Sequence, residues 1–277
     1  AVEYADDLFT DEALKFVERS KDVPFFLYHS MTIPHANNEA TKVSQNGNEI
    51  PDEGSYRDRA WNAPQRGHAA MVERMDSYVG RLMDRLRRLG IAERTLVIFS
   101  SDNGHHVEGG EGPDDIFDKN GPLRGWKRDL TEGGIRVPTI VWWPGRIAAG
   151  TESSHVAHFA DFLPTAAELA GAKVPEGRDG ISFLPDLLGQ KGQARHTHLY
   201  WEFHERGFSQ AVLMDGRWKA IRMRRLDAPV EVYDVVEDIG ESRDLASDRA
   251  DLVERARGLF GSEREDSPYW GVAKGIR

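Results

Sequence analysis

T-L-V-I-F-S-S-D-N-G, residues 95–104, sets a short apolar run against an oxygen-rich end. Residues 96–99 carry β-branched side chains between polar neighbours and predict a buried strand. Ser100, Ser101, Asp102 and Asn103 then crowd side-chain oxygens onto the end of that strand, and Gly104 turns the chain away. In open α/β sheets, ligands bind just beyond the carboxyl ends of the strands. Asp102 offers a charged oxygen and Asn103 a neutral one, a pair suited to a hard cation such as Ca²⁺ or Mg²⁺. Asp, Asn and Gly are equally good turn formers, so this stretch alone leaves a plain strand-to-turn transition open.

Toward the N-terminus, Met71, Met75, Val79, Leu82, Met83, Leu86 and Leu89 recur at helical spacing over residues 65–89. Gly90 suits the position just past that helix, and the methionines read as core packing. Thr10 is placed to cap an earlier helix, with Asp11 and Glu12 in its first turn. Residues 24–28, P-F-F-L-Y, read as a second buried strand, followed at once by His29, Ser30, Thr32, Pro34 and His35. If the two strands run parallel, both polar clusters share one sheet edge. Residues 41–59 carry Gly47, Pro51 and Gly54 and read as a long surface loop. Strand, helix and strand alternate, which predicts an α/β fold with a mostly parallel sheet flanked by helices.

Beyond the opening stretch, residues 108–121 are rich in glycine and acids (Glu111, Asp114, Asp115, Asp118) but match no calcium-loop spacing. They read as a solvated loop. L-R-G-W-K-R-D-L-T-E-G-G-I-R-V-P follows at 123–138, where Gly133-Gly134 permits a tight turn and residues 135–143 read as a strand. Lys127 and Arg136 bring cations there, although a lysine on a polar loop is most often solvated. Residues 161–169 predict a short helix closed by Gly171, and 173–192 read as a boundary rich in Gly and Pro. After it, residues 198–203, 210–214, 217–223 and 230–236 are strand-like, with Asp215-Gly216 as a hairpin turn. A helix over 251–260 completes a small antiparallel sheet plus helix.

The 277 residues include no cysteine, which excludes disulfides, zinc-thiolate sites and a thiol nucleophile within this sequence. A net charge of −10 argues against an electrostatic nucleic-acid binder. No apolar run approaches the roughly 20 residues of a membrane span, and residues 1–7 have neither the basic start nor the apolar core of a signal peptide.

S-D-N-G at 101–104, Pro34-His35 after an apolar stretch, and G-x-K…E-G-G-I-R-V-P at 125–138 resemble the type I sulfatases of the alkaline-phosphatase-like superfamily. L-Y-W-E-F at 199–203, D-G-R-W-K at 215–219 and V-Y-D-V-V-E-D-I-G-E-S-R-D-L-A at 232–246 resemble the C-terminal subdomain of bacterial arylsulfatases. The resemblance implies hydrolysis of a sulfate monoester by a formylglycine nucleophile, made from Cys or Ser in a C/S-x-P-x-R motif. It also implies a Ca²⁺ ion that neutralises the sulfate charge. Asp102 and Asn103 would be two of the metal ligands. Lys127 would bind the sulfate and the leaving oxygen, while His35 would contact the sulfate and help protonate the leaving group. His105, Glu202 and His204 are further candidates to line the substrate site, as is Trp126 for an apolar wall; Arg136 and Asp161 read as structural. Related two-zinc enzymes carry His at the position of Asn103, since imidazole suits zinc, so Asn103 favours one hard cation and sulfate chemistry. A phosphate or phosphonate ester hydrolase and a non-catalytic relative remain alternatives.

The formylglycine motif itself is absent: there is no Cys, and no Ser begins S-x-P-x-R. Asn62-Ala63-Pro64-Gln65-Arg66 fits x-x-P-x-R with Asn in the nucleophile's place, and reads as a coincidence ahead of the long helix. The family's first two metal-binding aspartates belong to an N-terminal segment of about 150–200 residues, a domain's worth. The expectation is therefore the C-terminal portion of a sulfatase, inactive alone, with an incomplete α/β catalytic part at 1–190 and a small α+β subdomain at 191–277. Its expected substrate is a small-molecule or carbohydrate sulfate ester, and the resemblance implies a periplasmic or secreted location.

Overall fold

In the computed structural model, residues 3–112 and 115–265 are described. Asp114 of the acidic stretch and residues 266–277 of the expected C-terminal subdomain lie outside them. The chain divides into two units, one of Ala1–Ile98, His106–Lys119 and Trp142–Arg146, the other of Phe99–His105, Asn120–Val141 and Ile147–Arg277.

In the first unit, helix α1 (Ala5–Ser20) starts earlier than a Thr10 cap allows. Asp6 and Asp7 occupy its first turn, where the partial positive charge of the helix end favours acids. Thr10 is instead buried inside the helix, its Oγ1 3.3 Å from His29 Nε2. The expected loop over 41–59 is also interrupted. Helix α2 (Asn38–Ser44) forms there because the Asn37 side chain accepts hydrogen bonds from the Glu39 and Ala40 N–H groups. None of its residues is buried, so it lacks the apolar stripe by which a helix is read. Helix α3 (Ala63–Arg88) opens on a capping box in which Asn62 and Gln65 satisfy each other's backbone N–H, with Pro64 in the first turn. N-A-P-Q-R thus starts the helix and does not merely precede it.

Residues 24–28 are not a strand. They alternate as a strand does: Phe25 and Leu27 pack with Val17, Leu86 and Ile91, while Phe26 and Tyr28 are 68% and 80% exposed. No described strand pairs with them, and a ladder requires a neighbour. The idea of two polar clusters on one sheet edge falls with that strand. Strand β1 (Val97–Ser100) is half-buried, begins and ends one residue later than the predicted 96–99, and pairs only with β2 (Thr139–Trp142) among the described residues. The predicted strand over 135–143 is shortened because helix α4 (Glu132–Ile135) takes its start and Pro138 lacks an N–H for the ladder.

In the second unit, helix α5 (Phe162–Ala170) follows a 3₁₀ turn capped by His158 and Asp161, and ends on Gly171 at φ 66°. Helix α6 (Leu184–Leu187) follows. Strands β3 (His198–Phe203), β4 (Ser209–Met214), β5 (Trp218–Arg222) and β6 (Glu231–Asp234) then form an antiparallel meander in sequence order. Asp215 and Gly216 both have positive φ, 55° and 67°, the conformation a tight hairpin turn requires. Alternation gives the sheet two apolar faces. Val212, Met214, Ala220 and Val232 pack on Leu252, Ala256 and Phe260 of helix α7 (Ala250–Ser262). Leu199, Ala211, Leu213, Ile221 and Tyr233 pack on Leu130 and Ile135. Each fully buried aliphatic or aromatic side chain contributes about 1.5–3 kcal/mol, so the sheet is a firm plate under residues 124–136.

Candidate active site

The turn after β1 is built by short-range hydrogen bonds. Ser100 Oγ donates to the Pro138 carbonyl at 3.1 Å, tying the end of β1 to the start of β2. Ser101 Oγ donates to the Asn103 carbonyl at 3.0 Å, and Asn103 Nδ2 donates to the Gly104 carbonyl at 3.1 Å. That bond commits the Asn103 nitrogen and leaves Oδ1 as its metal-type oxygen. Asp102 beside it is exposed. These are two hard oxygen donors, which suit calcium but fall short of the six to eight it takes. Among the described residues, no three His, Cys, Asp or Glu side chains converge as a metal site.

The Lys127 loop is stitched directly to this turn. Lys127 N–H donates to the His105 carbonyl at 2.8 Å, and Gly104 N–H donates to the Gly134 carbonyl at 2.9 Å. Gly133 N–H closes the loop on the Arg124 carbonyl at 2.7 Å. A Cβ at Gly104 would sit 1.8 Å from the Gly133 carbonyl oxygen, and one at Gly133 2.3 Å from that of Gly125. The glycines therefore serve close approach of backbones; the tight turn expected of Gly133-Gly134 is a helical one. Arg136 pairs with Glu132 at 2.5 Å, in keeping with a structural role.

Arg128 reaches from the same loop to Glu205 at 2.5 Å, in the turn after β3. That turn carries His204, whose Nε2 is 3.3 Å from Glu202 Oε1; Tyr200 Oη donates to Glu202 Oε2 at 2.9 Å. Trp126 is 41% exposed, so its indole is not core. Asp102, Asn103, His105 and Lys127 are thus joined through their backbones, and the turn after β3, which carries His204, is tied through Glu205 to the neighbour of Lys127.

His35 belongs to the first unit, its Nδ1 2.7 Å from the Ala36 carbonyl oxygen and its ring centroid 5.4 Å from that of His106. His106 is buried, which holds its pKa below the usual imidazole value despite the Pro34 carbonyl. Its Nδ1 accepts the Glu108 N–H at 3.1 Å. Its Nε2 lies 3.2 Å from the Pro34 carbonyl oxygen and 3.3 Å from the Ala36 N–H, the peptide groups flanking His35. Behind it, buried Glu111 is 3.1 Å from His68 and accepts from Asn48 Nδ2 at 2.7 Å, with Lys119 against its other oxygen.

Sequence reading passed over one group. Lys219 of β5 is fully buried between Glu132 and Glu241. The strand's alternation was the available signal, since it puts Lys219 on the same face as apolar Ile221.

A family model described as Sulfatase matches residues 2–172, and one described as N-sulphoglucosamine sulphohydrolase, C-terminal, matches residues 124–255. N-acetylgalactosamine-6-sulfatase of Mus musculus is 35% identical over 222 residues, which is 77% of this chain and 37% of that protein. Steryl-sulfatase of Rattus norvegicus is 38% identical over 196 residues, 68% of this chain and 31% of that protein. Among solved structures, Ps i-CgsB in complex with k-i-k-neocarrahexaose aligns with a TM-score of 0.79 at 28% identity, over 99% of this chain and 58% of the other. PsFucS1 sulfatase from Pseudoalteromonas sp. aligns with a TM-score of 0.69 at 26% identity, over 93% and 52%. The chain spans only 31–37% of the two curated relatives. With one family model covering well over half of the residues, and neighbours of the same kind in sequence and in structure, the chain belongs to the sulfatase family.

Proposed function

We propose that this chain is the C-terminal part of a calcium-dependent sulfuric ester hydrolase that cleaves a small-molecule or carbohydrate sulfate monoester. The observation that carries the reading is the backbone stitch of Lys127 to His105 and of Gly104 to Gly134, which joins the Asp102-Asn103 turn to a cationic loop. Asp102 and Asn103 Oδ1 hold the Ca²⁺ ion together with ligands from elsewhere in a longer protein. When bound, that ion neutralises charge on the sulfate group. The Lys127 ammonium meets the sulfate and the negative charge that grows on the leaving oxygen. His35 contacts the sulfate and delivers a proton to that oxygen. His105, Glu202 and His204 contact the alcohol portion of the substrate. An exposed indole at Trp126 close in sequence to Lys127, with the Glu205 carboxylate tied to that loop through Arg128, suits the apolar face and hydroxyls of a sugar.

No residue here fits the formylglycine role, because the sequence has neither Cys nor S-x-P-x-R. The nucleophile is therefore assigned to a segment beyond these 277 residues, and no step is derived through it. In this reading β1 and β2 belong to a mostly parallel alkaline-phosphatase-like sheet, residues 1–190 form part of the catalytic domain, and residues 191–277 form the subdomain. Family resemblance adds a periplasmic or secreted location; no described helix is long and apolar enough to cross a membrane. The test is turnover of an aryl sulfate against an aryl phosphate by the full-length protein. Faster sulfate hydrolysis, with none from the 277-residue chain alone, is expected. Preference for phosphate, or turnover by the isolated chain, overturns the reading.

A further inference from the structure

Lys219 sits on the face of β5 that carries Ile221 and that Leu130 and Ile135 cover, with none of its side chain exposed. Its Nζ is 2.7 Å from Glu132 Oε1 and 3.2 Å from Glu241 Oε1, and both carboxylates are themselves buried. The Glu132 N–H donates to Glu241 Oε2 at 2.8 Å, and Arg136 holds the other Glu132 oxygen at 2.5 Å. Arg124 adds a bond to the Glu241 carbonyl at 3.0 Å and one to Tyr233 Oη at 2.8 Å. The proposed hydrolysis uses none of these charges. An aliphatic residue fills such a sheet position without the desolvation cost of an ammonium, so the cluster has to be explained by what it fixes.

What it fixes is α4. Glu132 is the first residue of that turn, and the next two make the stitches of the candidate site. Gly133 N–H bonds the Arg124 carbonyl, and the Gly134 carbonyl receives Gly104 N–H. Apolar packing of Leu130 and Ile135 alone leaves this segment free to slide on the sheet. Charge pairs of fixed geometry set its register, the use of buried ion pairs that is best attested. We propose that Lys219, acting through Glu132 and Glu241, is a positioning residue that holds the Asp102–Asn103–Gly104 turn and Lys127 in place for sulfate ester hydrolysis. This rests on the roles assigned to Asp102, Asn103 and Lys127 above, whereas the holding itself can be measured without turnover.

The experiment is hydrogen–deuterium exchange by mass spectrometry on the full-length protein, wild type against Lys219→Met and Glu241→Gln, with aryl sulfate kinetics on the same samples. Peptides spanning 101–106 and 124–130 are expected to speed up at least about tenfold more than the ladder peptides of 198–222. The same variants are expected to lower kcat about tenfold while KM stays within about threefold. Equal acceleration of loop and ladder, or no acceleration of the loop, overturns the proposal. If Lys219→Met does not fold, Glu241→Gln decides by the same ratio; if neither folds, the cluster is a stability element and the proposal falls. Selective loosening of the two loops in a protein whose wild type hydrolyses no sulfate ester sustains the positioning and overturns the hydrolase reading instead.

Discussion

Glu111 shows how far one buried carboxylate depends on its neighbours. Burial by itself raises its pKa, but His68 and then Lys119 outweigh that and bring it down from 4.5 to about 2. A carboxylate whose pKa is lower folded than unfolded stabilises the fold above its unfolded value, and that stability is lost as the pH falls from about 4.5 through about 2. The magnitude is on the order of 3 kcal/mol. In urea unfolding, Glu111→Gln is therefore expected to be less stable than wild type at neutral pH, with the gap closing on acidification through that window. A gap that stays constant with pH contradicts this. The loop around Glu111 reads as solvated in the sequence because its acids match no calcium-loop spacing. The three partners of Glu111, Asn48, His68 and Lys119, come from three stretches of chain, and no local pattern announces their meeting.

Among the elements, α3 and the Gly104 turn yield the sharpest expectations. Asn62→Ala removes the side-chain acceptor for the Gln65 N–H at 2.8 Å, and is expected to cost about 1 kcal/mol in urea unfolding. Gly104→Ala forces a Cβ against the Gly133 carbonyl and is expected to cost about 1–3 kcal/mol, with faster amide exchange at Lys127. Unchanged stability in that variant contradicts the close packing described. The β3–β6 meander was legible in the sequence because each strand alternates clearly and pairs with the next one along, through a turn such as Asp215-Gly216. α3 was legible through its 3.6-residue stripe. Residues 24–28 were not, because alternation describes the side chains while a strand is defined by its neighbour. α2 escaped because its only signal is the cap at Asn37.

At the scale of the molecule, the candidate site was legible through short motifs in register along the chain, and its support was not. Glu132 to Lys219 spans 87 positions and Glu132 to Glu241 spans 109, separations at which sequence periodicity says nothing. In the proposed function Lys127, held by the His105 carbonyl next to the Asp102-Asn103 turn, meets the charge on a sulfate ester. The most direct measurement is kcat for an aryl sulfate in the full-length protein with calcium, wild type against Lys127→Ala. A fall of about 100-fold or more is predicted, the size seen when one preplaced group facing transition-state charge is removed. A rate within about threefold of wild type contradicts the account.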